Sequence, residues 1–178
     1  MLVEHVTKTF PGLDFNFIIN HHYFETNTAY SVYLGRGDLV SDVQLLMNAD
    51  VIYPPELISR IVESKEDTVL AVDIKKCGRE EVKVIEGSNN RITAIGKGLI
   101  EENCLGEFLG VAKLSMEFNQ VFADALERLI EAGGKSDYFE AGIHPLLDKT
   151  DVYYSDVSDL PCLEIDFLED LNEARSLY

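Results

Sequence analysis

The sequence predicts a layered α/β domain, and three observations carry that expectation. Stretches of strand length alternate along the chain with stretches of helical periodicity, the pattern that stacks helices on a sheet containing parallel strands. One strand-like run, residues 43–47 (VQLLM), is apolar almost throughout, as a central strand covered on both faces is, and residues 68–74 (TVLAVDI) read as a further strand with Asp73 near its end. The length, 178 residues, suits one domain.

Taken in order, residues 1–6 (MLVEHV) enter an apolar pattern with no capping residue before it and read as the end of a helix. Pro11-Gly12 breaks that pattern, and residues 13–20 (LDFNFIIN) have the aromatic and β-branched content of a buried strand. A polar connection over 21–28 leads to a short helix at 29–34, with Thr26, Asn27 and Thr28 as caps and Gly35 or Gly37 as its end. Residues 43–47 then form a central strand that ends in Asn48-Ala49-Asp50. Pro54-Pro55-Glu56 starts a helix whose stripe is Leu57, Ile58, Ile61 and Val62. After the strand at 68–74, residues 81–86 and 91–96 flank Gly87-Ser88-Asn89-Asn90, which tolerates positive φ and predicts a hairpin. A strand at 109–114 precedes a helix at 116–132 closed by Gly133-Gly134, and another helix is expected over 138–147. Strands at 152–157 and 160–166 precede a closing helix at 167–177, with Phe167, Leu168, Leu171 and Ala174 turned inward.

Composition narrows the function classes. With 46% apolar and 26% charged residues the chain has enough material for a core, so disorder is not expected. A net charge of −17 repels nucleic-acid phosphates and anionic lipid, so neither nucleic acid nor membrane is expected as a partner, whereas a cation is. No run is long enough to span a bilayer and no signal pattern opens the sequence, so the expectation is a cytoplasmic protein. Cys77, Cys104 and Cys162 are odd in number and widely spaced, which fits reduced thiols rather than a disulfide framework or zinc site.

Two carboxylate positions sit where an apolar strand gives way to a loop or helix, the usual place for ligand contact in an open α/β sheet. Asp50 is one, and a turn or helix-capping aspartate is the equal alternative. Leu163-Glu164-Ile165-Asp166 is the other: alternation puts Glu164 and Asp166 on one face of a strand, where they repel each other. A hard divalent ion with oxygen ligands, magnesium best of all, answers that repulsion, and a solvated strand edge with Asp166 as a cap is the alternative reading. Lys97, in Gly96-Lys97-Gly98, is either a phosphate-neutralising cation in an acidic chain or a solvated lysine. His21-His22 with Glu25 reads as plain loop and His144 before Pro145 as a packed or capping histidine; no nucleophile pairing of Ser/His/Asp or Cys/His type is supported.

Several segments, in this order, resemble the nucleotidyltransferases that activate phosphorylated alcohols and sugars, in particular the phosphocholine, inositol-phosphate and aminoethylphosphonate cytidylyltransferase branch. Residues 20–31 (NHHYFETNTAYS) look like that family's strand-end asparagine and the Tyr, Thr-Asn and Tyr-Ser helix after it. Residues 45–51 (LLMNADV) are similar to its L-N-G-D-V segment, with Ala49 in place of glycine. Ala71-Val72-Asp73, residues 80–84 (EEVKV) and Ile95-Gly96-Lys97 resemble its middle strands, and residues 106–112 (GEFLGVA) its next strand. Residues 162–171 (CLEIDFLEDL) are similar to its E-I-D-x-x-x-D-L ending.

The resemblance implies a Rossmann-like mixed, mostly parallel sheet flanked by helices, of the nucleotide-diphospho-sugar transferase type. It implies that Asp50 and Asp166 hold a catalytic Mg2+, with Glu164 as a further ligand or a supporting neighbour, and that Lys97 contacts phosphate. The implied reaction is attack of an acceptor phosphate on the α-phosphorus of a nucleoside triphosphate, CTP favoured, with release of pyrophosphate. The acceptor would be a small phosphorylated or phosphonylated alcohol, or a sugar 1-phosphate in the alternative branch. One departure is large: the family's leading strand, glycine-rich loop with arginine and Pro-Lys pair have no counterpart here. Residues 1–178 are therefore expected to be a single domain of this type that is N-terminally truncated, missing its first strand-loop-helix unit, which is encoded upstream or on a separate chain. A non-catalytic relic or interaction module of the same fold, and an unrelated acidic cation-binding domain, are the competing readings. The sequence also lacks tryptophan for an aromatic choline box, leaving Tyr23, Tyr30 and Tyr138 as partial contributors.

Overall fold

A computed structural model describes residues 2–177. Its helices are α1 (Leu2–Thr9), α2 (Thr28–Leu34), α3 (Arg36–Leu39), α4 (Pro55–Val62), α5 (Met116–Glu131), α6 (Glu140–Ile143) and α7 (Leu168–Leu177). The strands are β1 (Gln44–Met47), β2 (Val51–Ile52), β3 (Val69–Asp73), β4 (Lys83–Glu86), β5 (Ile92–Gly96), β6 (Gly106–Leu114), β7 (Tyr153–Asp156) and β8 (Leu163–Glu164).

Six strands form one sheet in the order β5-β4-β6-β3-β7, with β1 also paired to β6, and β2 pairs with β8 in a separate two-stranded ladder. The long central β6 organises the sheet. Its residues 107–113 lie against β3, with a register shift between Phe108 and Ala112, while on its other edge residues 111–114 take β1 and residues 106–107 take β4.

Strand alternation assigns each side chain to a layer. Leu70 and Val72 of β3, with Phe108, Ala112 and Leu114 of β6, face a core built with Phe118, Phe122 and Leu126 of α5 and Ile143 of α6. Val69 and Ala71 of β3, with Val111 of β6, face a second core closed by Leu57 and Ile61 of α4. Burial on both faces is why residues 68–74 read as a nearly unbroken apolar run. Local signals account for the ends of the elements. Ser115 accepts a hydrogen bond from the Phe118 amide at the start of α5, and Gly133 at φ +98° follows its end. Asn89 and Asn90, at φ +58° and +60°, make the expected turn between β4 and β5.

The mixed, helix-flanked sheet agrees with expectation, but its balance does not. β3 and β7 form the parallel ladder, and the other ladders of the described sheet are antiparallel, because the β4–β5 hairpin and the central β6 impose reversals of direction. The strand expected at 13–20 is irregular chain, with Leu13 62% and Ile19 61% exposed: no described strand offers it a partner, so its hydrogen-bonding groups and apolar side chains have nothing to close on. For the same reason β1 is not central. Among the described residues it pairs with β6 alone, so Leu46 packs on the core while Leu45 and Met47 stay exposed.

The helix expected over 138–147 divides into α6 and a 3-10 turn at His144–Leu146, since Pro145 has no amide to continue the ladder. The late strand at 160–166 shrinks to β8, and in α7 it is Ala174 that is buried while Phe167 and Leu168 are exposed. Among the described residues no helix is long and apolar enough to cross a membrane.

Candidate active site

The small ladder builds the acidic site. Antiparallel register sets Val51 opposite Glu164 and Ile52 opposite Leu163, and the Ile165 amide continues the pattern by donating to the Asp50 carbonyl at 2.8 Å. Residues remote in sequence thus arrive side by side: Asp50, Glu164 and Asp166 each bring a carboxylate oxygen within 4.8 Å of the others. The Asp166 and Phe167 amides donate to Asp170 at 3.0 and 2.7 Å, so Asp170 caps the start of α7 and the Asp166 side chain is left to the cluster. On the other strand, the Asn48 amide donates to the Gly110 carbonyl, and Gly110, at φ +72°, leaves room for the Asn48 side chain that a Cβ would strike. This contact ties the Asp50 turn to the central strand.

Three hard oxygen donors within that span suit an oxygen-liganded divalent cation, whose ligands stand about 2.0–2.6 Å away from it. The electrostatics agree. Although Glu164 is exposed by area, shielding of its carboxyl and then the charges of Asp166 and Asp50 hold its pKa above the ordinary carboxylate value. Magnesium or another such ion fits these residues.

Lys97 lies just past β5, with its ammonium 4.2 Å from the centre of the Tyr138 ring. Desolvation opposes its charge, but Tyr138, Glu80 and Glu164 outweigh that loss and hold its pKa above the usual lysine value. Glu164 thus links the carboxylate cluster to Lys97.

Two positions here escaped sequence reasoning. Lys83 is 1% exposed and its ammonium donates to the carbonyls of Lys97, Arg79 and Glu81 at 2.8, 3.2 and 3.3 Å, fixing the backbone that carries Lys97. An odd lysine inside EVKVI was the available signal: alternation would place Lys83 opposite to Val82 and Val84, yet it is buried because three carbonyls replace its water. Glu140, 4% exposed, opens α6 between the buried Phe139 and Ile143; an acid on the apolar face of that short segment is the signal. Its Oε2 has no hydrogen-bond partner among the described residues. Burial raises its pKa to about 7 against the lowering by its own backbone amide and Lys97.

The other candidates fall elsewhere. His22 pairs with Glu25 at 2.6 Å in an exposed turn, as a plain loop should. His144 Nδ1 lies 2.9 Å from the Ile95 carbonyl and 3.2 Å from its amide, a packed position against β5. Tyr23 packs edge-on against Phe24, Tyr30 stacks with Tyr33, and the Tyr138 ring is met by the Lys97 ammonium. The cysteines are free.

No family model matches the chain, and no curated protein does. Solved structures do. The CTP:phosphocholine cytidylyltransferase of Streptococcus pneumoniae superposes with a TM-score of 0.77 at 15% identity, covering 99% of this chain and 73% of that one. The inositol-1-phosphate CTP transferase of T. maritima gives 0.76 at 21% identity, covering 98% and 69%. A UDP-glucose pyrophosphorylase gives 0.71 at 10% identity, covering 99% and 72%. Across nearly its whole length, this chain has the nucleotidyltransferase fold.

Proposed function

We propose that the chain is the acceptor-and-metal portion of a nucleotidyltransferase that moves a cytidylyl group from CTP to a small phosphorylated or phosphonylated alcohol, releasing pyrophosphate. The observation that carries the reading is the β2–β8 ladder, which gathers Asp50, Glu164 and Asp166 on this fold, with the Glu164 charge acting on Lys97. A sugar 1-phosphate acceptor is the second reading, favoured by the likeness to UDP-glucose pyrophosphorylase.

The chemistry asks for positioning rather than for a general base. An acceptor phosphate oxygen is already anionic; it forms a bond to the α-phosphorus while the bond to pyrophosphate breaks in line. Asp50 and Asp166, with Glu164 beside them, would anchor Mg2+, which when bound supplies positive charge between two polyanions. Lys97 holds the acceptor phosphate and neutralises part of its charge, while Lys83 keeps the Lys97 backbone in place.

The glycine-rich, arginine-bearing triphosphate unit of the resembling family has no counterpart in residues 1–178, and in this reading a separate segment supplies it. An apolar surface is available for it. Leu13, Phe15, Phe17, Ile18 and Ile19 are exposed, as are Leu45 and Met47 on β1. Contacts of Asn16 and Gln44 with Asp38 draw the two groups together.

The test is magnesium-dependent CTP binding and pyrophosphate release, measured on the chain alone and mixed with the polypeptide encoded immediately upstream. Asp50→Asn and Asp166→Asn are expected to weaken both by more than the roughly 10- to 100-fold that loss of an outer partner of a metal site costs. If both variants keep metal-dependent binding and turnover, the site assignment is wrong. Calcium binding with no response to nucleotide would instead support an acidic cation-binding domain.

A further inference from the structure

Two loops flank the β4–β5 hairpin, residues 74–82 before it and residues 97–105 after it, and several contacts pin one to the other. The buried Lys83 ammonium donates to the Arg79 and Glu81 carbonyls of the first loop and to the Lys97 carbonyl of the second. Lys75 pairs with Glu107, just past the second loop, at 2.6 Å. Gly106 presses so closely on the Asp73 carbonyl and on Ile74 that a Cβ there would strike both.

Those contacts bring two thiols together. Cys77, 3% exposed, donates from Sγ to the Lys75 carbonyl at 3.7 Å, and its sulfur lies within hydrogen-bonding reach of the half-buried Cys104 thiol. Cys162 packs instead against the other core, on the α4 side of the sheet. The pair is not a metal centre, because among the described residues no third metal-type donor joins the two sulfurs as one does in the carboxylate cluster. What two adjacent thiols can do is join to each other.

The surroundings select the oxidant and the order of events. Glu81 and Glu107 face Cys77 in a chain of net charge −17, which repels an anionic oxidant but not a neutral peroxide. Burial, and after it Cys104 itself, push the Cys77 thiol up to about 12, so Cys77 is not the first nucleophile. Cys104, the more open of the two, reacts first: its sulfur attacks a peroxide oxygen, the O–O bond breaks, and the leaving hydroxide takes up the thiol proton as water. The Cys77 sulfur then attacks the sulfenic acid at Cys104. The S–O bond breaks as the S–S bond forms, and a second water leaves with the Cys77 proton. The two thiols are oxidised, and the peroxide that accepts their electrons is reduced to water.

We propose that Cys77 and Cys104 form a reversible, peroxide-driven disulfide that clips the loop carrying Lys97 to the loop that follows β3. It would add a covalent tie beside the hydrogen bonds of Lys83. The inference needs no nucleotide and stands apart from the nucleotidyltransfer reading.

The experiment exposes the folded chain to hydrogen peroxide in slight excess, counts the remaining thiols and maps the peptides by mass. The expected result is loss of two of the three thiols, a peptide linked through Cys77 and Cys104, a free Cys162, and full recovery with dithiothreitol. In Cys77→Ser the sulfenic acid at Cys104 is expected to persist and to be captured by dimedone. In Cys104→Ser, Cys77 is expected to keep its thiol at the same dose. The unmodified chain alone can overturn the proposal. Sulfinic acid at Cys104 beside an intact Cys77 thiol would do so, as would a link through Cys162, or three intact thiols at a dose that oxidises free cysteine.

Discussion

The six-stranded sheet and the irregular segment at residues 13–19 contain similar apolar side chains and use them in opposite ways. In the sheet, β3 is flanked by β6 and β7 and covered on both faces, so Val69, Leu70, Ala71 and Val72 are buried. In residues 13–19, Phe15 and Phe17 stack mainly on each other at 5.6 Å and remain exposed. Hydrophobicity alone therefore does not make a strand: an edge to pair with and a face to cover are needed as well. The first region supplies stability, and the second supplies surface.

The largest effect that sharpens this contrast is Phe122→Ala. Phe122 is fully buried between α5 and the sheet, and its truncation is expected to cost about 3–5 kcal/mol by urea denaturation. A loss below about 1 kcal/mol would mean that the core is not where stability resides.

Glu140→Gln comes next and has the opposite sign. The folded-state pKa, raised to about 7, lies above the ordinary 4.5, so the folded chain holds the proton more tightly than the unfolded chain. Stability attached to this group is present in acid and declines as pH rises between those two values. The variant should therefore match the parent near pH 4 and melt higher at pH 8, by the equivalent of on the order of 1–3 kcal/mol. Equal melting temperatures across that range would show that Glu140 is charged without penalty.

The smallest effect belongs to the exposed segment. Ile19→Ala should leave stability within about 0.5 kcal/mol. A loss close to that of Phe122→Ala would erase the contrast.

Much of the layered fold is legible in the chain because short-range chemistry specifies it. Pro54-Pro55-Glu56 starts α4, Ser115 caps α5, the Asn89-Asn90 turn closes a hairpin, and the VLAV run is buried. What sequence reading misses are relationships between segments. Residues 43–47 look central because their composition says nothing about whether a neighbour occupies the outer edge. At the site, Asp50, Glu164 and Asp166 are readable as strand-end acids, yet their meeting depends on a two-residue ladder too short to leave a periodic signal. Glu140 and Lys83 stay hidden for a related reason: each is ionisable, and its loss of water is set by segments remote in sequence.

The shared edge of β6 sets how much the length of this chain can drift. β1, which leads to Asp50, and β4, whose Lys83 grips the Lys97 carbonyl, both hang from that edge, separated by the span from Glu107 to Val111. One residue inserted or deleted there would turn half the strand's side chains to the wrong core and change the spacing between Asp50 and Lys97. The loops at 74–82 and 97–105 carry no such constraint on their length from the ladder.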